Sequence, residues 1–173
     1  MDQRKIKTQQ AIQDAFLQLR KEKNLEQISV TELSKLAKIS KATFYLHYRD
    51  IFDLSEKLQS KMIHQILDQI DISSSALEYW PEFIKRMMVA MDENHQLAEI
   101  LFSGTQMSMF PLLLENQLRE SILEQSPELK NDLELSIRLT YHIQGSYHAY
   151  MRHVGSKNIE EILNIIAAFS TDL

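Results

Sequence analysis

The sequence predicts an all-α fold of about nine helices. Only three glycines and three prolines occur in 173 residues, so few positions favour a helix break. Leu, Ile, Glu, Gln, Lys and Met are abundant, and apolar residues recur at three- and four-residue intervals along most of the chain. No cysteine occurs, which excludes disulfides and thiolate metal sites.

Charge divides the chain into two parts. Residues 1–50 contain ten Lys/Arg and six Asp/Glu, a net charge of +4, whereas residues 51–173 contain nine and eighteen, a net charge of −9. Clustered basic residues are typical of nucleic-acid binding. We therefore expect an N-terminal three-helix DNA-binding domain over 1–50 and a C-terminal helical regulatory and dimerisation domain over 51–173.

Several other classes of protein are disfavoured. The N-terminal residues carry charge without an apolar signal core, and no apolar run approaches the roughly 18 residues of a membrane span. We therefore expect a cytoplasmic protein with no membrane partner. The sequence has no paired-carboxylate pattern, nucleophile motif or phosphate loop, so we expect neither an enzyme nor a cofactor. His142, His148 and His153 are spaced by six and five residues, which argues against a metal site on one helical face.

The first predicted helix covers residues 3–23, with Ile12, Phe16 and Leu19 on its apolar stripe. Lys5 and Lys7 lie at its start, where positive charge opposes the helix dipole unless an anion is bound. A DNA phosphate is a suitable anion, and a frayed, solvated helix start is the alternative.

Residues 29–48 predict two short helices joined by a tight turn. Ser29 and Glu32 have the spacing of a capping box, and Ser40 can cap a second helix whose Phe44 and Tyr48 point inward. This arrangement is a helix-turn-helix.

The opposite face of the second helix would present Lys41, Thr43, Tyr45 and His47 without an acidic residue. Such side chains suit contacts to base edges and phosphates in the major groove of DNA. The same pattern also fits a hairpin of an ordinary helical domain with a solvated polar face.

Residues 29–54 read S-V-T-E-L-S-K-L-A-K-I-S-K-A-T-F-Y-L-H-Y-R-D-I-F-D-L. This stretch resembles the DNA-binding segment of the TetR family of bacterial repressors, which implies a homodimer on a double-stranded, roughly palindromic operator. Lys38 stands at the usual turn glycine, so a left-handed residue is expected there. Ala42 replaces a glycine, and Ile51 replaces a phosphate-contacting lysine for which Arg49 is the expected substitute. The expected DNA contacts are Lys5, Lys7, Ser29, Thr31, Ser40, Lys41, Thr43, Tyr45, His47 and Arg49.

Six further helices are expected in the acidic part. The fourth follows an Asp50 cap and covers about 51–70, the fifth opens at Trp80-Pro81, and a short sixth ends before Gly104. The remaining three are expected to begin near Ser108, Ser126 and Lys157, with the eighth reaching Val154 and closed by Gly155.

The last two predicted helices suggest a dimer interface. Gly145 inside the eighth helix costs stability, which close approach of another helix would offset, and the ninth is apolar on more than one side. We predict a two-fold dimer through a four-helix bundle, with burial inside one subunit as the alternative. The predicted interface consists of Gly145, Ser146, Ala149, His153, Ile162, Ile166 and Phe169.

A small-molecule cavity is a further hypothesis, since an aromatic and methionine stripe is also ordinary core. Its proposed lining is Trp80, Phe83, Met87, Phe102, Phe110, Tyr141, His142 and Tyr147. The C-terminal part is also similar to the compact TetR-like dihydroxyacetone kinase regulators, some of which respond to a protein partner. The effector, a small molecule or a protein, is therefore left open. The rival hypothesis is a protein-interaction coregulator that has lost sequence-specific DNA binding.

Overall fold

The computed structural model describes residues 3–73, 79–153 and 158–170, and these are all-α, as predicted. Nine α-helices lie within the described residues, with three short 3₁₀ turns at Leu25–Gln27, Gly104–Gln106 and Pro127–Asn131. The helices are α1 Gln3–Arg20, α2 Val30–Leu36, α3 Lys41–Tyr45, α4 Ile51–Leu67, α5 Trp80–Glu93, α6 His95–Leu101, α7 Met109–Gln125, α8 Leu133–His153 and α9 Ile159–Ala168.

The chain forms two compact units. The first contains the described residues of Met1–Met62 together with Gln96–Ser108, and the second contains those of Ile63–His95 and Met109–Leu173. Helix α4 contributes its first part to one unit and its last turns to the other. The division therefore lies within α4, later than the predicted boundary at residue 50, and residues 96–108 join the N-terminal unit. A functional boundary at residue 50 stays a prediction.

The core of the first unit is formed by α1 to α4. Helix α2 contacts both α1 and α3. The predicted apolar stripe of α1 is buried, as are Leu33 of α2, Phe44 of α3, four apolar residues of α4 and two residues of the connecting loop. Burial of such aliphatic and aromatic side chains is the main term holding short helices in place, because α2 and α3 are too short to be stable alone. These buried residues are Ile12, Phe16, Leu19, Leu25, Ile28, Leu33, Phe44, Ile51, Leu54, Leu58 and Met62.

The second unit is built around α5, α8 and α9. Helix α9 contacts both α5 and α8, α5 contacts α8, and α7 packs along α8. The apolar face of α5 is completely covered, which explains its spacing of Phe83, Ile84, Met87, Met88 and Met91.

Several helix ends differ from the predictions. The eighth helix begins at Leu133 rather than at Ser126, because Pro127 opens a 3₁₀ turn and Asp132 then accepts a 2.9 Å hydrogen bond from the Leu135 amide. Helix α1 ends at Arg20 and α4 at Leu67, each three residues early. The predicted features at Val154, Gly155 and Lys157 lie outside the described residues.

Candidate nucleic-acid interface

Helix α2 begins with half of the predicted capping box. The Ser29 hydroxyl accepts a 3.2 Å hydrogen bond from the Glu32 amide. The Glu32 carboxylate does not complete the box; it lies 2.5 Å from Nζ of Lys23. Leu33 is buried, whereas Leu36 at the end of the helix is exposed.

The turn after α2 contains the predicted left-handed residue. Lys38 has φ 56°, the only positive φ of a non-glycine residue in the described part of the chain. The Lys38 amide donates to the Lys35 carbonyl at 3.2 Å and the Ile39 amide to the Ser34 carbonyl at 3.0 Å. These two bonds form a Schellman motif, which usually has glycine at this position. The turn is therefore fixed by backbone hydrogen bonds despite its lysine.

Helix α3 starts at the predicted cap and is attached to the core by two aromatic rings. Ser40 Oγ accepts from the Thr43 amide at 3.0 Å and lies 2.8 Å from Thr43 Oγ1. Phe44 and Tyr48 are buried, with ring centroids 5.8 Å apart, and the Tyr48 hydroxyl accepts from Gln13 of α1 at 3.3 Å. The prediction that these two rings point inward is confirmed.

The polar residues predicted to read DNA lie on α3 and at its two ends, where they are at least partly accessible. Lys41 and Tyr45 are exposed, while Thr43 and His47 are half-buried. Ser40 is also exposed. Helix α3 carries no acidic residue, so the charge of its outward side is positive or neutral.

Sequence reasoning missed the residue at the middle of this outward face. Leu46, the C-cap of α3, has 82% of its surface exposed. At about 100° per residue, Leu46 lies about 180° around the helix from the midpoint of Phe44 and Tyr48. Ala42, one turn earlier, is exposed beside it. A helical projection of the sequence places both residues on this face, although only polar side chains were predicted to contact DNA there.

The residues after α3 form a charged cluster around Asp53. The Asp53 carboxylate lies 2.9 Å from Lys57 Nζ and 3.3 Å from the Arg49 guanidinium, and it accepts the Arg49 amide at 3.0 Å. The hydrogen bond from Lys57 and then that from the Arg49 amide lower the pKa of Asp53. The Arg49 side chain is still 80% exposed, so it can contact a phosphate, although Asp53 competes for it.

Ile51 cannot take the place of a phosphate-contacting lysine. It is only 5% exposed and belongs to the core. Asp50 caps α4, as predicted, by accepting the Asp53 amide at 2.8 Å. At the start of α4, Ile51 therefore packs in the core and Asp50 caps the helix.

The remaining predicted DNA contacts lie on the surface of the first unit. Lys5, Lys7, Ser29 and Thr31 are all exposed. No acidic residue lies in the first turn of α1 as the structure describes it, and Lys5 and Lys7 lie near the positive end of the helix dipole.

Most residues of the predicted ligand cavity are packed side chains. Seven are buried, and Tyr141 is exposed. Trp80 stacks on His142 with ring centroids 5.1 Å apart, and Phe110 lies 5.3 Å from Tyr147. The buried residues are Trp80, Phe83, Met87, Phe102, Phe110, His142 and Tyr147. Of these, Phe102 belongs to the first unit.

A groove of about 450 Å³ lies between α8 and α9. Its lining combines two residues of the predicted cavity with five of the predicted dimer interface: Tyr141, His142, Gly145, Ser146, Ala149, Ile166 and Phe169. His142 is buried in its wall, with Nδ1 3.3 Å from Ser170 Oγ and no hydrogen-bond partner for Nε2 among the described residues. Burial, and secondarily the charge of Arg138, lowers the pKa of His142.

The predicted interface residues of α8 and α9 are partly exposed. Phe169 is 77% exposed, and a Cβ built at Gly145 would meet nothing within 4 Å. Ala149 and His153 are exposed and Ile162 is half-buried, whereas Ser146 and Ile166 are buried within the protomer. The predicted contact that would explain Gly145 is therefore not made by the described residues of this chain.

His148 and His153 are both exposed on α8. The residues that the structure describes contain no group of three or more His, Cys, Asp or Glu side chains able to hold a metal ion. Among the same residues, none of the helices is long and apolar enough to cross a membrane.

No protein-family model matches the chain. Over 80 residues, it is 31% identical to the uncharacterized HTH-type transcriptional regulator YxbF of Bacillus subtilis (strain 168). The match covers 46% of this chain and 21% of that protein, so the chain spans about a fifth of the length of the curated relative it matches. The similarity is to a helix-turn-helix transcriptional regulator.

Proposed function

We propose that the protein is a homodimeric, TetR-like DNA-binding transcriptional regulator of the cytoplasm that represses transcription from a palindromic operator. Residues 1–50 bind DNA and residues 51–173 dimerise and regulate. The chain acts by binding rather than by catalysis. The observation that carries the proposal is the outward face of α3, which combines a cation, hydroxyls and aromatic rings without an acid on a helix anchored by Phe44 and Tyr48.

The geometry of α3 supports insertion into the major groove. Its Ser40 cap and the Schellman turn before it fix the helix direction, so few degrees of freedom must be lost on binding. Lys41 and Thr43 contact bases, while Tyr45 and His47 act mainly on phosphates, as do Arg49 and the cations of α1. The similarity to a helix-turn-helix transcriptional regulator independently favours DNA as the partner.

The exposed face of α8 and α9 supports the dimer. Apolar side chains such as Phe169 and Ile165 are exposed to solvent in the single chain. Gly145 of α8 has open space where a side chain would begin. A second copy related by a two-fold axis would cover this face. Two α3 helices about 34 to 36 Å apart would then enter successive major grooves.

Release from the operator requires an effector that binds one conformation of the dimer more tightly than the other. Helix α4 is the element proposed to transmit the effect of the effector to the DNA-binding residues, since it contributes residues to both compact units. The effector is a small molecule or a protein partner.

Selection from random DNA duplexes tests the proposal. We expect one palindromic site to be enriched, and the substitutions Lys41→Ala and Tyr45→Ala together to abolish its mobility shift. Sedimentation should give twice the chain mass for both proteins, and circular dichroism should show equal helicity. Lys21→Ala, at an exposed position beyond α1, is the matched charge control and should leave binding of the operator intact.

The competing coregulator function is favoured by the burial of Ile51 and by the ion pair that holds Arg49. It predicts that no sequence is enriched. A substitution that removes one phosphate-contacting lysine provides a second test. It should reduce the slope of log affinity against log salt concentration by about one.

A further inference from the structure

We propose that Leu46 reads a thymine of the operator through the C5-methyl group in the major groove, with Ala42 beside it. This inference rests on the proposed function and specifies how that function selects its DNA sequence. Among the described residues, Leu46 is the most exposed large hydrophobic side chain.

Its place on α3 argues against an incidental exposed leucine. Leu46 lies opposite the buried pair Phe44 and Tyr48, at about 180° around the helix. It is held there by the backbone, since its amide donates to the Ala42 carbonyl at 3.2 Å and its φ and ψ of −72° and −19° are helical. When α3 enters a groove, this side chain therefore points at the groove floor.

The residues on either side suit the groove walls. Lys41 and Tyr45 flank the Ala42–Leu46 line on one side, and Thr43 and His47 flank it on the other. Tyr45 on one flank and His47 on the other suit the two phosphate backbones, while Lys41 and Thr43 reach base edges beside the apolar line. This face carries Lys41 and no acidic residue. The negatively charged DNA duplex is therefore a better binding partner for it than an apolar protein surface without acidic residues.

The chemistry identifies the base. A leucine side chain neither donates nor accepts a hydrogen bond, so it cannot use the amino, carbonyl or N7 groups of the base edges. The C5-methyl of thymine is the apolar group that the major groove presents, and apolar side chains contact it. Leu46 therefore distinguishes thymine from cytosine and from uracil at one position in each half-site.

The experiment uses the operator obtained by selection. Thymines are replaced by deoxyuridine, one position at a time in both half-sites, which removes only the methyl group and keeps base pairing. For the unmodified protein we expect one position at which affinity falls by about fourfold per half-site, the factor for burial of one methyl-sized group. Leu46→Ala should bind the thymine and uracil versions of that site equally well.

Phe52→Ala is the matched control, because Phe52 is another exposed apolar residue of the same unit, on α4. It should retain the full uracil penalty. Melting curves should coincide for all three proteins, since neither side chain is buried. The difference between the uracil penalty of the unmodified protein and that of Leu46→Ala then gives the coupling free energy between the Leu46 side chain and the thymine methyl group.

Four outcomes overturn the inference. An operator without any uracil-sensitive position, or a penalty that persists in Leu46→Ala, rejects the thymine contact while leaving DNA binding intact. Unchanged operator affinity in Leu46→Ala would indicate that another protein covers this side chain. A selection that enriches no sequence rejects the proposed function, and the inference with it.

Discussion

Arg20 Nη2 donates a 2.7 Å hydrogen bond to Ser103 Oγ and a 3.1 Å bond to the Ser103 carbonyl, joining the end of α1 to a segment 83 residues away. Nη1 donates to the Lys23 carbonyl at 2.9 Å. Two further contacts fix the same segment: Thr105 donates to Glu26 at 2.6 Å, and Gln59 donates to the Leu101 carbonyl at 3.0 Å. Residues 101–105 are thus an integral part of the first unit.

Arg20→Lys should lower the free energy of unfolding by about 2 kcal/mol, because one ammonium nitrogen cannot reach both the Lys23 carbonyl and Ser103, which two separate guanidinium nitrogens contact. Arg20 is only 3% exposed, so the carbonyls left behind cannot regain full hydration. Urea denaturation followed by circular dichroism measures the change. Lys21→Ala, its exposed neighbour, should stay within about 0.5 kcal/mol of the unmodified protein; equal losses in the two variants would contradict the assignment.

Lys38→Gly should raise the thermal midpoint. A left-handed lysine costs about 1 kcal/mol or more, and glycine removes that cost while losing somewhat less in unfolded-state entropy. The control is Lys35→Gly, three residues earlier inside α2, which should lower stability by about 1 kcal/mol. If both substitutions destabilise equally, the backbone at residue 38 is not left-handed in solution.

Asp53 should stabilise the fold at neutral pH and lose that contribution in acid. Its pKa is lowered from 3.8, so the unfolded chain takes up the proton first. The contribution is complete above pH 3.8 and disappears as the pH falls through the lower folded-state pKa. The stability difference between the unmodified protein and Asp53→Asn should therefore shrink between pH 7 and pH 3. Asp14→Asn, at an exposed position on α1, should show no comparable change.

His142 should make stability depend on pH in the weakly acidic range. Burial lowers its pKa from 6.5, so below that pH the unfolded chain is protonated while the folded chain stays neutral. Stability is fully retained above pH 6.5 and declines as the pH falls towards the lower folded-state value. Urea unfolding between pH 7.5 and 5.5 should show this decline. It should be reduced in His142→Gln and unchanged in His148→Gln, since His148 is exposed on the same helix.

Local patterns were sufficient to predict the helical class and the start of α3. The Ser40 cap, the inward Phe44 and Tyr48 and the Asp50 cap all depend on interactions within a few residues, which sequence spacing represents directly. The left-handed Lys38 was instead expected from the resemblance to the TetR family, which has a glycine at that position. The predicted start of the eighth helix was wrong because Ser126-Pro127 also begins a 3₁₀ turn, and Asp132 supplies the actual cap.

The sequence by itself determined which side chains α3 would turn towards the core, since helical periodicity alone places Phe44 and Tyr48 on one side. Only the tertiary structure decided that Glu32 pairs with Lys23, that Ile51 is core, and that residues 96–108 belong with α1 and α4. The reason is physical: these outcomes depend on contacts between residues distant in the chain, and no local propensity encodes which distant partner a buried group will meet.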